Sequence, residues 1–344
     1  MQILPKTLGS RPRLAVELRV EGVVAARAED AAGLLTAVAE RPLPGTALAI
    51  GLKAGNLIDR DRLVTALREA LDAVAGRAGG DRNRSVTIIV PDATARVLLL
   101  EFDALPTKPA EALAVVRFRL KKLLPFDSDH AALSYQIMSS EKNVVRVLAV
   151  AMPSEVLEEY EQAVTAAGYA PGAVLPSTLA ALASLDEQQS AVLIVNAGHG
   201  GITTAIVRSG VLLLHRSLEL ANDIPAVDDE SGGVLQARHG DYDRIEAEAA
   251  MEARVLASAE AAMTGREIAQ AVSVAAAYFE DTLSHSPETI LSAGTLGAQA
   301  LRGILQENGF EGADVKEMLG PEALATGVSM ARGRLAGVRG ALKN

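Results

Sequence analysis

The sequence of 344 residues contains no cysteine and no tryptophan, and aromatic residues make up only 3% of it. The absence of cysteine excludes disulfide bonds, thiol nucleophiles and thiolate metal sites. With so few aromatic residues, the core must be built mainly from alanine, leucine and valine. The hydrophobic fraction of 49% is nevertheless typical of an ordered globular protein, and the length suits two domains or one large bilobed body.

Positive charge is also in short supply, since 33 basic residues against 43 acidic ones give a formal net charge of −10. This balance argues against binding of nucleic acid and against attraction of the whole protein to an anionic membrane. The clearest basic cluster lies at 117–122. The N-terminus lacks the apolar core of a secretory signal, and the uncharged runs 163–185 and 190–207 are interrupted by glycine, proline or polar residues. We therefore expect a soluble, cytoplasmic protein.

Common catalytic motifs are missing as well. The sequence contains no phosphate-binding GxxxxGK[ST], no dinucleotide-binding GxGxxG and no metalloprotease HExxH. Its five histidines are scattered, without the short spacing of a metal site: His130, His199, His215, His239 and His285. These observations predict no metal site and no catalytic residues.

One stretch, residues 105–135, carries most of the functional information. A helix is predicted to begin after Pro109 and to end before Pro125, because proline suits a first helical turn and excludes the helical conformation for the residue before it. One face of this helix collects aliphatic residues expected to pack on a sheet: Leu113, Val116, Leu120, Leu123 and Leu124.

The other face of the same helix is also partly apolar. It carries Val115 and Phe118 among four basic residues: Arg117, Arg119, Lys121 and Lys122. Packing on the same sheet would not reach this face, so a second neighbour is required. That neighbour is either another domain of the chain or a segment of a partner laid along a groove beside the helix.

This stretch begins with Leu105-Pro106, and a second proline, Pro109, follows after a gap of two residues. The predicted helix comes next and leads into the sequence LLPFD at 123–127. A strand that contains Tyr135 follows. The arrangement resembles the PilM family of type IV pilus assembly proteins, which are cytoplasmic, actin-like and bind the N-terminal cytoplasmic segment of an inner-membrane partner. The resemblance implies an α/β fold with duplicated, ribonuclease H-like lobes and an inserted small α+β subdomain.

The same resemblance implies a PilN-like partner and peripheral association with the inner-membrane face through that partner. It also allows a homo-oligomer. The residues expected to bind the partner peptide lie on the second face of the helix: Val115, Arg117, Phe118, Lys121 and Lys122.

Strand and helix patterns along the chain agree with the order that this resemblance implies. Residues 8–90, with a connector at 176–189, are predicted to form the first lobe, and residues 91–175 the inserted subdomain. The second lobe is assigned to 190–221 and 264–335, with a shortened acidic insertion at 222–263. Within that lobe, Thr264 and Glu267 predict a capping box that begins a helix, and Pro321 predicts the start of a final helix.

The resemblance also predicts where a nucleotide would lie. Actin-like ATPases hold phosphates with two glycine-containing loops, each led by an aspartate, and close over the nucleoside with a glycine pair. Glycine lets backbone N–H groups approach phosphate oxygens, and a carboxylate binds Mg²⁺. Here the first loop carries Glu17 and Arg19 instead, and we interpret it as lost.

The second and third loops keep more of the expected shape. The candidate residues in the second loop are Asn196, Gly198, His199 and Gly200, and in the third Gly294, Thr295 and Gly297. Binding of ATP with Mg²⁺ is therefore left open, whereas hydrolysis is not expected. Two alternatives also remain at this point: an active ATPase or sugar kinase of the same superfamily, for which Glu17 is the only first-loop candidate to bind magnesium, and the cytoplasmic half of a type II secretion platform protein. The latter relatives carry a transmembrane helix after their cytoplasmic part, and none is found before Asn344.

Overall fold

The computed structural model describes residues 12–75, 84–141, 144–186, 190–220, 242–310, 312–325 and 330–343, with 242–260 as helix backbone only. The predicted acidic segment therefore lies outside the described residues up to position 241. The strands are β1 (Leu14–Arg19), β2 (Gly22–Ala28), β3 (Leu35–Pro42), β4 (Ser85–Val90), β5 (Arg96–Phe102), β6 (Ala131–Glu141), β7 (Val144–Pro153), β8 (Ala170–Pro176), β9 (Val192–Gly198), β10 (Gly201–Arg208), β11 (Val211–Glu219), β12 (Thr289–Gly294) and β13 (Asp314–Glu317). The helices are α1 (Arg60–Ala75), α2 (Pro109–Leu120), α3 (Ser154–Ala166), α4 (Ser177–Ala183), α5 (Tyr242–Leu283), α6 (Ala298–Glu307) and α7 (Ala336–Leu342).

Two five-stranded sheets share one topology. The first has the strand order β3-β2-β1-β4-β8 and the second the order β11-β10-β9-β12-β13. In each sheet three antiparallel strands are followed by two strands parallel to the first of them. A helix precedes the fourth strand and another precedes the fifth, as parallel crossovers require. The predicted duplication of lobes is confirmed by this repeat.

The first lobe illustrates how the sequence forms these layers. Helix α1 begins where the Asp59 side chain accepts a hydrogen bond from the Arg62 N–H at 3.2 Å, as an N-cap residue does. Its apolar residues recur at helical spacing and are buried on the sheet: Leu63, Leu67, Leu71 and Val74. Strand β1 is buried at all six positions. The other side of the sheet is covered by α7, whose Val338 and Ala341 pack against Ala15 and Ala26.

A third, antiparallel sheet with the order β5-β7-β6 forms the inserted module. Helix α2 packs on one face of it through Val116 and Leu120. The opposite face carries Leu148, which belongs to a cluster with Val207 and Leu212 of the second sheet. The module is therefore connected to the first lobe through the polypeptide chain, and it also packs against the second lobe through apolar side chains.

Helix α3 and strand β8 lie within the predicted boundaries of the inserted unit but pack on the first sheet. Tyr160 and Val164 of α3 belong to the same buried cluster as Leu67 of α1, and β8 pairs in parallel with β4. The reason is that the apolar stripe of α3 faces α1 and not α2.

Two predicted helix starts are wrong. Thr264 does not begin a helix: it is 1% exposed inside α5, which runs unbroken from Tyr242 to Leu283. The alanine-rich sequence before it continues the helix, so no free N–H groups remain for a capping box. Pro321 begins only the 3-10 turn Pro321–Ala323, and the last α-helix is α7.

Helix α7 packs very closely against helix α4. A Cβ atom added to Gly340 would lie 1.9 Å from the carbonyl oxygen of Ala180 in α4, so only glycine permits this approach. Among the described residues, none of the helices combines the length and the apolar character needed to cross a bilayer.

Candidate functional site

The place of the first phosphate loop, at the end of β1, is occupied by a buried ion pair. Glu17 and Arg19 are two residues apart on one strand and so lie on the same face; they are 2% and 9% exposed. The Arg19 guanidinium donates a hydrogen bond to Glu17 Oε2 at 2.7 Å and another to the carbonyl oxygen of Arg334. Ser177 Oγ donates to Glu17 Oε1 at 2.7 Å. The pair thus links β1 to α4 and to the C-terminal segment.

Two opposing effects act on the pKa of Arg19. Burial alone would lower the pKa of the Arg19 guanidinium, but the charge and hydrogen bond of Glu17, with the charges of Glu21 and Glu40, raise that pKa above its usual value. Gly337 of α7 closes over the pair: a Cβ atom there would lie 2.6 Å from Glu17 Oε2. Little room remains beside the carboxylate.

Asn196, the leading residue of the second loop, belongs to a polar network at the junction of the lobes. Its Nδ2 donates to Thr178 Oγ1 at 2.9 Å and to Ser177 Oγ at 3.2 Å. Thr178 in turn donates its backbone N–H, at 2.9 Å, and its hydroxyl to the carboxylate of Asp92, which also accepts a hydrogen bond from Thr203 Oγ1 at 2.9 Å. Asp92 therefore joins the connector helix α4 to strand β10 of the second lobe.

Sequence reasoning missed Asp92. The signal that could have found it is its position just after the buried strand β4, which runs parallel to β1. The carboxyl ends of parallel strands meet at one edge of a sheet, where polar sites gather.

The second and third loops lie directly against each other. The backbone N–H of Thr295 donates to Ala197 O at 2.9 Å. Gly294 has φ +85°, and a Cβ atom there would lie 2.3 Å from the same carbonyl oxygen and 2.7 Å from Asn196 Oδ1. Gly198 lies against Thr295 Oγ1. The structure thus places these four predicted residues side by side: Asn196, Gly198, Gly294 and Thr295. The other two residues of the second loop, His199 and Gly200, lie in the turn between β9 and β10.

The N-terminus of α6, next to Gly297, is already occupied by a carboxylate of the chain. Glu317 Oε1 accepts the backbone N–H of Ala298 at 2.8 Å, so the helix end that favours an anion holds a side chain from β13. Glu317 Oε2 is buried and has no hydrogen-bond partner within the described part of the chain. A Cβ atom on Gly333 would lie 2.7 Å from it, which places the C-terminal segment directly over this end.

The exposed face of α2 is the second candidate site. Phe118 is 76% exposed and Val115 is 37% exposed, whereas Val116 and Leu120 on the opposite face are fully buried. The alternative that another domain of this chain covers the second face is therefore wrong for the described residues. The first face is confirmed in part, because Leu123 is 51% exposed. It lies beyond Leu120, the last helical residue, whereas Leu124 and Phe126 after it still pack against the core of the module.

The basic residues at 117–122, on α2 and just after it, fall into two groups by their contacts. The Arg117 guanidinium donates to the carbonyl oxygens of Ser128 and of Ala131, the latter at 3.2 Å, and Lys121 forms an ion pair with Asp129 at 3.1 Å. These two hold α2 against the segment that leads into β6. Arg119 and Lys122 are exposed.

The duplicated five-stranded sheets, the inserted module and the polar junction between the lobes define a protein of the actin-like fold. A solved chain of the PilM–PilN type IV pilus biogenesis complex is similar over 96% of this chain and 97% of its own, with a TM-score of 0.67 and 19% identity. The resemblance to PilM read from residues 105–135 is thus confirmed at the level of the fold.

Two further solved structures share parts of this architecture at lower similarity. EutJ, an ethanolamine utilization protein from Carboxydothermus hydrogenoformans, matches 100% of this chain and 95% of its own with a TM-score of 0.47 and 13% identity. The cytoplasmic domain of EpsL from the type II secretion system of Vibrio cholerae matches 60% of this chain and 70% of its own, with a TM-score of 0.38 and 13% identity. Neither a scan of protein-family models nor a search of curated proteins gave a match.

Proposed function

We propose that the protein is a cytoplasmic scaffold of a type IV pilus assembly machinery, held at the inner-membrane face by the N-terminal cytoplasmic peptide of a PilN-like protein. The fold shared with a chain of the PilM–PilN complex supports the class of partner. The observation that carries the proposal is the exposed apolar face of α2, where Phe118 is 76% exposed beside Val115.

The form of this face favours a short peptide as the ligand. A globular partner needs roughly 800 Å² on each side for a stable interface, which is more than one face of a twelve-residue helix offers. A peptide needs only an aromatic anchor and a few flanking contacts, and burial of one phenylalanine contributes about 2–3 kcal/mol.

The internal contacts of α2 make the site rigid before the peptide arrives. Arg117 and Lys121, which the sequence suggested as direct peptide contacts, bind the 128–131 segment. A helix fixed in this way loses little conformational entropy on binding. We therefore assign Arg117 and Lys121 to positioning the face, and Val115 and Phe118 to contacting the peptide.

Replacing Phe118 with aspartate tests this assignment. The variant should lose binding of the peptide in fluorescence anisotropy, while its thermal unfolding stays nearly unchanged because the side chain makes few contacts in the free protein. Ile58→Asp is a matched control, since Ile58 is 63% exposed on the first lobe. Peptide binding by Phe118→Asp at the wild-type affinity would refute the location of the site.

The cleft between the lobes is, in this proposal, a structural joint and not an ATPase site. Arg19 and Glu17 fill the first loop with an ion pair, and the Glu317 carboxylate holds the helix end that would favour a phosphate. The Glu317 carboxylate repels the phosphates of a nucleotide, and the closely packed Glu17–Arg19 pair leaves little room for them. Isothermal calorimetry should therefore detect no micromolar binding of Mg-ATP. Binding with turnover would support the active ATPase or sugar kinase alternative instead.

Localisation is part of the same proposal. Fractionation of cells should find the protein in the membrane fraction when the PilN-like partner is present and in the soluble fraction when it is deleted. A protein that stays with the membrane without the partner would contradict the peptide as its anchor.

A further inference from the structure

The C-terminal end of the α2 face differs from its centre. Arg119 and Lys122 are three residues apart and so project side by side, and Leu123 follows with 51% of its surface exposed. Arg117 and Lys121 are engaged by the chain itself, so these two remaining cations and one leucine form an exposed basic and apolar cluster. We call it the Arg119 cluster: Arg119, Lys122 and Leu123.

This cluster adjoins the site proposed for the N-terminal cytoplasmic peptide of an inner-membrane protein. A surface beside such a peptide is held close to the bilayer, whose headgroups present phosphate oxygens. Exposed cations flanked by an aliphatic side chain suit this boundary, because the charges meet the phosphates while the leucine reaches the upper acyl region. We infer that the Arg119 cluster contacts anionic phospholipid headgroups of the bilayer, an inference that rests on the proposed function.

The acidic charge of the whole chain does not prevent this local contact. The Debye length is about 8 Å at physiological ionic strength, so charges farther away are largely screened. Of the nearby carboxylates, Asp129 is paired with Lys121 and Glu111 with Lys108, while Asp127 accepts the backbone N–H of Asp129. Each cation near an anionic surface raises apparent affinity by about fivefold.

The test compares two kinds of vesicle that carry the same lipid-anchored partner peptide. One is phosphatidylcholine alone and the other contains phosphatidylglycerol as well. Wild-type protein should bind the anionic vesicles roughly tenfold more tightly or better, and added salt should remove the difference. Arg119→Gln should lose about fivefold on anionic vesicles and nothing on neutral ones. The control Lys53→Gln, at an exposed cation of the first lobe, should keep the full preference.

A second measurement uses the absence of cysteine from the chain. Leu123→Cys can be labelled at one site with a polarity-sensitive fluorophore, whose emission should shift to the blue on anionic vesicles. The same label at Ile58→Cys should not shift.

The possible outcomes distinguish failure of the lipid contact from failure of the proposed function on which it rests. Equal affinity for both vesicles, with peptide binding still abolished by Phe118→Asp, overturns the lipid contact and leaves the proposed function standing. An Arg119→Gln defect that appears equally with free peptide in solution means that the cation binds the peptide, which also overturns the lipid contact. If the protein binds neither kind of peptide-bearing vesicle, the proposed function fails and the inference fails with it.

Discussion

Replacing Asp92 with alanine tests how strongly the polar network holds the junction of the lobes. The Asp92 carboxylate accepts three hydrogen bonds, two from Thr178 and one from Thr203. Thr178 is fully buried and Thr203 is 3% exposed, so water does not readily replace the lost acceptor. Alanine would leave these donors without the charge that organises them.

The magnitude follows from the number and kind of these bonds. A hydrogen bond to a charged acceptor contributes roughly 1.5–3 kcal/mol, but neighbouring bonds are not additive. The Thr203 hydroxyl also keeps Ser217 Oγ as a possible acceptor, whereas Asn196 Nδ2 only donates to the Thr178 hydroxyl and cannot replace the lost carboxylate. We therefore expect Asp92→Ala to lower the free energy of unfolding by about 3 kcal/mol, below the simple sum.

Urea unfolding followed by far-ultraviolet circular dichroism measures this change, because the chain has no tryptophan to serve as a fluorescent reporter. Asp103→Ala, at an exposed aspartate of the inserted module, is the control and should change stability by less than about 0.5 kcal/mol. If Asp92→Ala lowers the free energy of unfolding by less than about 1 kcal/mol, and the slope of that free energy against urea concentration is unchanged, apolar packing alone joins the lobes.

Two further predictions concern the same region. In urea unfolding, Gly294→Ala should destabilise the protein more than Gly309→Ala does. Both glycines have positive φ, but of the two only Gly294 has a backbone oxygen where an added Cβ atom would lie. Equal losses of stability would contradict the close contact between the second and third loops. Burial lowers the pKa of His215, although the charge of Asp92 acts in the opposite direction, so the unfolded chain binds the proton more readily. The free energy of unfolding should therefore fall as pH decreases below about 6.5. The variant His215→Gln should reduce this dependence on pH. The same dependence in the variant and in the wild type would contradict a role for His215.

Local features of this protein follow from its sequence. Pro109 and Pro125 bracket α2 because proline restricts the backbone wherever it occurs, and Asp59 caps α1 through the neighbouring N–H groups. The resemblance to PilM could be read from a single stretch because its helix, prolines and flanking strand are set by residues close together in the chain. The charge change at the first phosphate loop is likewise visible in Glu17 and Arg19 alone.

Pattern alone could not decide which surfaces become neighbours. Whether Phe118 is covered depends on every other part of the fold, and α3 joins the first sheet because α1 offers its apolar stripe a better surface than the inserted module does. Asp92 gains its role from Thr203, 111 residues away, since the sheet topology brings the end of β4 next to β10. The sequence by itself determined most of the helices and strands, because these depend on neighbours in the chain, although not the helix starts predicted at Thr264 and Pro321. Only the tertiary structure decided the interlobe network and the exposed face of α2, because both depend on contacts between distant segments.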